Sequence, residues 1–226
     1  MRFQLAVLAI AGCGSGNQAS FKPATLPDLA PVQSAPTKPL SVSQLVLPSG
    51  EQLIWDVHMQ GMTIGRAELD VGDTEVRSRF KTDSIANMVM TVHHELTTIV
   101  DRPSARAGAA SEVLEVNSKS KHFELPPSGN VGQTMHTALG VLRAWARADA
   151  APGYIVVAAM GKQYRLDVAR PVLEDMQGTK ALHVTGKIKT DEPIDIALWL
   201  SNTPTRTPLR IELSDEDFHL TAELVQ

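Results

Sequence analysis

From Glu51 onward the chain alternates between apolar and polar residues. Leu53, Trp55, Val57 and Met59 occupy one phase, and Ile54, Asp56 and His58 the other. Thr63, Gly65, Ala67, Leu69 and Val71 stand against Ile64, Arg66, Glu68 and Asp70, and Val76, Ser78 and Phe80 against Arg77, Arg79 and Lys81. Successive side chains on a strand leave opposite faces of a sheet, so a period of two predicts half-buried antiparallel strands. Gly61 and Gly72-Asp73 supply turns between them.

The same pattern returns later. Glu112 to Glu124 reads as one or two strands, and Tyr154–Met160 with Gln163–Ala169 as a hairpin across Gly161-Lys162. Leu182, Val184 and Ile188 share a face of another strand, and Ile194, Ile196, Leu198 and Leu200 mark the next. A closing hairpin runs from Leu209, Ile211 and Leu213 over residues 214–217 to Phe218, Leu220, Ala222 and Leu224. One segment has helical spacing: Met135, Leu139, Leu142 and Ala146 form a stripe flanked by Ala138 and Trp145, with Pro152-Gly153 past its end. Residues 85–100 fit both periods, and the density of Val, Thr and Ile after residue 89 favours strand.

The expected fold is mainly β, with about nine to ten strands and one packed α-helix. A sheet that wide curls, because twist accumulates and open edges invite pairing. The expectation is therefore a strongly curved antiparallel sheet or open β-barrel, with the helix on its concave side or across its mouth.

The N-terminal part is different. Arg2 precedes an apolar run from Phe3 to Ala11, and Ile10-Ala11-Gly12-Cys13 follows. This resembles the lipobox of bacterial lipoprotein signals, with small residues before the cut. The resemblance implies that Cys13 carries a lipid and begins the mature chain, and Gly14 implies the outer membrane. Cys13 is the single cysteine of the chain, so no disulfide or thiolate metal site is available once it is lipidated. Pro23, Pro27, Pro31, Pro36, Pro39 and Pro48 lie in a stretch without periodicity, which reads as a disordered tether. The expected organisation is a signal peptide over 1–12, a lipidated Pro-rich tether over 13–48 and one β domain over 49–226.

Residues 52–57 (QLIWDV) and 61–69 (GMTIGRAEL) resemble the opening of the domain-of-unknown-function family numbered 3108: an aromatic strand, a glycine turn and a G-x-A-x-L return strand. Ala197-Leu198-Trp199-Leu200-Ser201 and Pro208-Leu209-Arg210-Ile211-Glu212 are similar to its close, and Val100-Asp101 and Leu142-Arg143 to features between. Asn202-Thr203 departs from the acidic pair common in that family. The resemblance implies an exported, lipid-anchored antiparallel β domain of bacterial envelopes, and no reaction.

The chemistry points the same way. A net charge of −4 and 4% aromatics give neither a basic stripe nor stacking platforms, which argues against nucleic acid as a partner. His93-His94-Glu95-Leu96-Thr97-Thr98 opens like a zinc-protease helix, but Thr98 stands where the second histidine belongs. Adjacent histidines on a strand diverge and cannot share one ion, and His94 falls on the apolar phase, where a hydrogen-bonded core histidine is expected. His58, His183 and His219 fall on solvent phases. Asp56 and Asp70 are placed to face each other across a hairpin, and Ser15 lacks a G-x-S-x-G context. No catalytic residue, metal or cofactor is expected.

Methionine is abundant relative to aromatics, at Met59, Met62, Met88, Met90, Met135 and Met160, and methionine conforms to varied apolar shapes. The candidate lining of a ligand site is Trp55, Met59, Met88, Met90, Met135, Trp145 and Trp199. The reading is a non-catalytic, periplasm-facing outer-membrane lipoprotein. It would be held to the membrane by its lipid, and its curved β domain would bind an apolar ligand such as a lipid or dock an envelope protein. The alternative is an envelope-polymer hydrolase working through surface carboxylates or histidine.

Overall fold

The computed structural model describes residues 38–83, 86–102, 104–125 and 132–225. The signal segment, Cys13 and the tether up to residue 37 lie outside the described residues.

Among the described residues, fourteen strands and one α-helix follow in order: β1 Gln52–Met59, β2 Met62–Val71, β3 Glu75–Thr82, β4 Val92–Asp101, β5 Arg106–Val116, β6 Lys119–Leu125, β7 Gln133–Thr134, α1 Met135–Trp145, β8 Gly153–Ala159, β9 Lys162–Val168, β10 Val172–Met176, β11 Thr179–Lys189, β12 Ile194–Ser201, β13 Pro208–Ser214 and β14 His219–Leu224. The strands form one sheet in the order β6-β5-β4-β3-β2-β1-β14-β13-β12-β11-β9-β8-β7, with β10 paired to β11. Pairing is antiparallel except between β7 and β8. The count corrects the expected nine to ten. The additions include β10, two of whose residues are exposed apolar side chains (Val172 and Leu173), and the two-residue β7. Neither carries an alternating apolar phase.

Four hairpins turn on two residues with positive φ: Gln60-Gly61, Asn117-Ser118, Met160-Gly161 and Gln177-Gly178. This backbone matches the right-handed twist of the strands it joins, and glycine adopts it without steric conflict. Register shifts at Val57/His58, Thr98/Val100 and Trp199/Leu200 bend the sheet further. The first reverses the phase at the start of β2, so that Ile64 is buried and Thr63 exposed, opposite to the alternation expected. Gly65 sits beside this bend. A Cβ there would lie 2.3 Å from the Lys81 carbonyl oxygen, so only glycine lets β2 and β3 approach.

The sheet curls around α1 without closing into a continuous ladder. Side chains bridge its seam: Gln133 Nε2 donates to the Ala105 carbonyl at 3.2 Å, and the Met160 amide donates to Glu112 Oε2 at 2.5 Å. The helix lies in the core, with His136, Thr137, Ala138, Gly140, Val141, Leu142, Arg143 and Trp145 buried. Thr134 caps its N-terminus, its hydroxyl accepting from the Thr137 amide at 3.3 Å. Arg143 fixes the other end: its guanidinium donates twice to Glu51, at 2.6 and 2.8 Å, and once to the Thr205 carbonyl at 2.8 Å.

The last part of the Pro-rich segment belongs to this body. Leu45 and Leu47 are buried in the core, the Val46 amide donates to the Gly140 carbonyl, and the Leu40 amide donates to the Tyr154 carbonyl. The folded unit therefore begins before residue 49, because two leucines of residues 38–48 have a helix to pack on.

Candidate functional site

The inward phases of the strands converge with α1 on a cavity of about 350 Å³. Protein interiors are close-packed and seldom leave voids larger than a water molecule. The strands contribute Trp55, Val57, Leu69, Phe80, Leu166, Leu198 and Leu213, among others, and the helix contributes Met135, Ala138, Leu139 and Leu142. The wall is therefore almost wholly hydrocarbon, built by period-two side chains on one side and a 3.6-period stripe on the other.

A few polar groups interrupt that wall. Glu112 is fully buried on β5. Its Oε1 lies 2.8 Å from His94 Nε2 on the neighbouring β4, and its Oε2 accepts the Met160 amide. Both carboxyl oxygens are thus occupied, as a buried carboxyl group requires. His136, at the start of α1, is buried between two hydroxyls: Nδ1 lies 3.0 Å from Thr98 Oγ1 and Nε2 lies 2.9 Å from Ser78 Oγ. Burial, followed by the neighbouring His94, lowers the His136 pKa from 6.5 to about 3, so the ring is neutral at ordinary pH. Tyr164 on β9 also lines the cavity. Burial first, and the Glu112 carboxylate second, hold its phenol above the usual pKa, which keeps it an O–H donor.

Ser78 and His136 have the spacing of a nucleophile and its base, and both line the cavity. Their surroundings do not activate them. A base must accept the serine proton, and burial opposes the imidazolium; the ring's other nitrogen meets the Thr98 hydroxyl rather than a carboxylate. Among the described residues no group of three or more His, Cys, Asp or Glu side chains is placed to hold a metal ion.

Of the residues expected to line a ligand site, the structure brings Trp55 and Met135 to the cavity. Met59 and Met90 pack against the core elsewhere, and Met88 is 81% exposed in the 3-10 turn Ala86–Met88 before β4. Met62 is exposed, while Met160 reaches the wall. Trp145 is buried with its Nε1 donating to the Ala151 carbonyl at 3.2 Å, away from the cavity. Trp199 faces outward between the inward Leu198 and Leu200. It stacks on His183 at 4.3 Å between ring centroids and 7° between planes, and its Nε1 donates to Glu174 at 3.4 Å. The hydrogen bond to His183 is the main cause holding the Glu174 carboxyl below its usual pKa.

His94 is hydrogen-bonded on the inward phase, as expected, but it is half-buried on the cavity wall rather than sealed in the core, while His93 pairs outward with Glu95. Asp56 and Asp70 do not meet: the register sets Asp56 against Arg66 and Asp70 against Gln52. A polar hollow of about 580 Å³ on the outer face contains Asp56, Arg66, Glu68 and Arg79, but these neutralise one another as Arg66–Asp56 and Arg79–Glu68 pairs.

Sequence reasoning passed over Glu112, His136 and Tyr164. A signal was present for two of them. Glu112 shares the apolar phase of Ala110 and Leu114, and Tyr164 that of Leu166 and Val168. A carboxylate in phase with buried neighbours marks a buried polar contact.

The chain is similar in fold to a solved bacterial protein. The crystal structure of a β-barrel-like protein of domain of unknown function 1849 from Brucella abortus matches 82% of this chain and 98% of its own, at 13% identity and a TM-score of 0.51. A protein with a YmcC-like fold from Bacteroides fragilis matches 81% of this chain and 98% of its own, at 10% identity and a TM-score of 0.36. The first likeness supports the β-barrel-like architecture and nothing finer. No family model and no curated protein matches the chain, so the resemblance to family 3108 remains one of short motifs.

Proposed function

We propose that this protein is a non-catalytic bacterial envelope lipoprotein, anchored through Cys13, that holds a small apolar ligand inside its curved sheet. The observation that carries the reading is the hydrocarbon-walled cavity of about 350 Å³ between α1 and the sheet. Its size lies near the lower end of the range for ligand pockets, roughly 300–1,000 Å³. The lipobox at residues 10–13 and the Pro-rich segment support the anchor and the periplasm-facing position at the outer membrane.

The test uses the purified full chain and phenylnaphthylamine, an apolar fluorophore that brightens out of water. Binding to the wild type is expected, with decane competing. Ala222→Leu adds bulk to the wall. It is expected to weaken the fluorophore while leaving the urea midpoint nearly unchanged, whereas overpacking a filled core costs about 1–3 kcal/mol. Trp199→Phe, on the outer face, is expected to leave affinity unchanged. Failure of the wild type to bind, or an Ala222→Leu variant that loses stability and keeps its affinity, overturns the reading.

A further inference from the structure

The polar groups along the cavity are not equally engaged. Glu112 uses both oxygens and His136 both nitrogens. Tyr164 lines the same space, and its hydroxyl makes no hydrogen bond among the described residues. The hydroxyl oxygen is not sealed from a water-sized molecule, so the donor is open to an occupant. A free donor on a hydrocarbon wall suits one acceptor on an otherwise apolar ligand. The sign of that acceptor follows from its neighbours. Glu112, fully buried, lines the same cavity, and a second carboxylate brought beside it is repelled. The small volume favours one hydrocarbon chain over two.

We propose that the cavity takes a neutral single-chain amphiphile whose carbonyl oxygen accepts a hydrogen bond from Tyr164: an ester, amide or ketone rather than a free carboxylate. This rests on the ligand-holding reading above and adds the class of head group.

The experiment is competition against phenylnaphthylamine on the full chain at pH 7.5, with decane, methyl decanoate and decanoate. Methyl decanoate is expected to bind roughly 3–10-fold tighter than decane, the effect of one net hydrogen bond, and decanoate more weakly than the ester. Tyr164→Phe is expected to bring the ester to the level of the alkane and leave decane unchanged, which also shows that the variant is folded. The wild-type ranking needs no variant and stands as a separate readout. If decane and ester bind equally, or decanoate binds tightest, the head-group assignment falls while the ligand-holding reading stands. If none of the three competes, both fall.

Discussion

His136 makes the stability of this protein depend on pH in a calculable way. Burial lowers its pKa to about 3 in the folded protein, against the ordinary 6.5 of a histidine. Above pH 6.5 the ring is neutral in both states and its full contribution is present. As pH falls below 6.5 the unfolded chain takes up a proton that the folded protein refuses, so stability drops until pH reaches about 3. Each pH unit in that window costs about 1.4 kcal/mol, which gives about 2 kcal/mol at pH 5 and roughly 5 kcal/mol for the whole window. The perturbation is His136→Gln, which keeps a polar side chain between Ser78 and Thr98 and removes the titrating ring. The assay is urea unfolding of both proteins at pH 7.5 and pH 5.0. The variant starts lower, having lost the two ring hydrogen bonds, but the wild type is expected to lose about 2 kcal/mol more than the variant between the two pH values. Equal losses, or ring-nitrogen chemical shifts showing His136 titrating near pH 6.5 in the folded protein, would refute the reasoning.

Arg143→Met leaves Glu51 without its bidentate partner and is expected to lower stability by about 3–5 kcal/mol, with Glu51→Leu added to it restoring part of the loss; urea midpoints of the single and double variants check this. Leu47→Ala is expected to cost about 2–5 kcal/mol, as for a buried leucine, and a cost under about 0.5 kcal/mol by thermal unfolding would show that residues 38–48 are a mere tether.

The strands with one apolar phase were legible because alternation is a local code: β1, β8, β9, β12 and β14 fall where the sequence puts them. The stripe on Met135, Leu139 and Leu142 likewise located α1. β10 was not legible by that code, since Val172 and Leu173 are exposed together at one end of it. The turn beside it, Gln177-Gly178, carries the glycine of a two-residue hairpin, a local signal that the sequence reading did not use. Trp199 was misplaced for a different reason. An aromatic ring on a strand suggests burial, but Leu198 and Leu200 own the inward phase, and His183 offers it a stacking partner outside.

The sequence by itself determined that the body is a curled antiparallel sheet with one helix, because periodicity and turn chemistry are properties of neighbours along the chain. It also put His94 on the inward phase of its strand. Only the tertiary structure decided that Leu45 and Leu47 join the body, that Glu112 meets His94 and the Met160 amide, and that Tyr164 keeps its hydroxyl free beside a cavity. Each depends on how far the sheet coils before its ends approach, and that curvature is the sum of many small twists and three bulges that no single stretch of residues encodes.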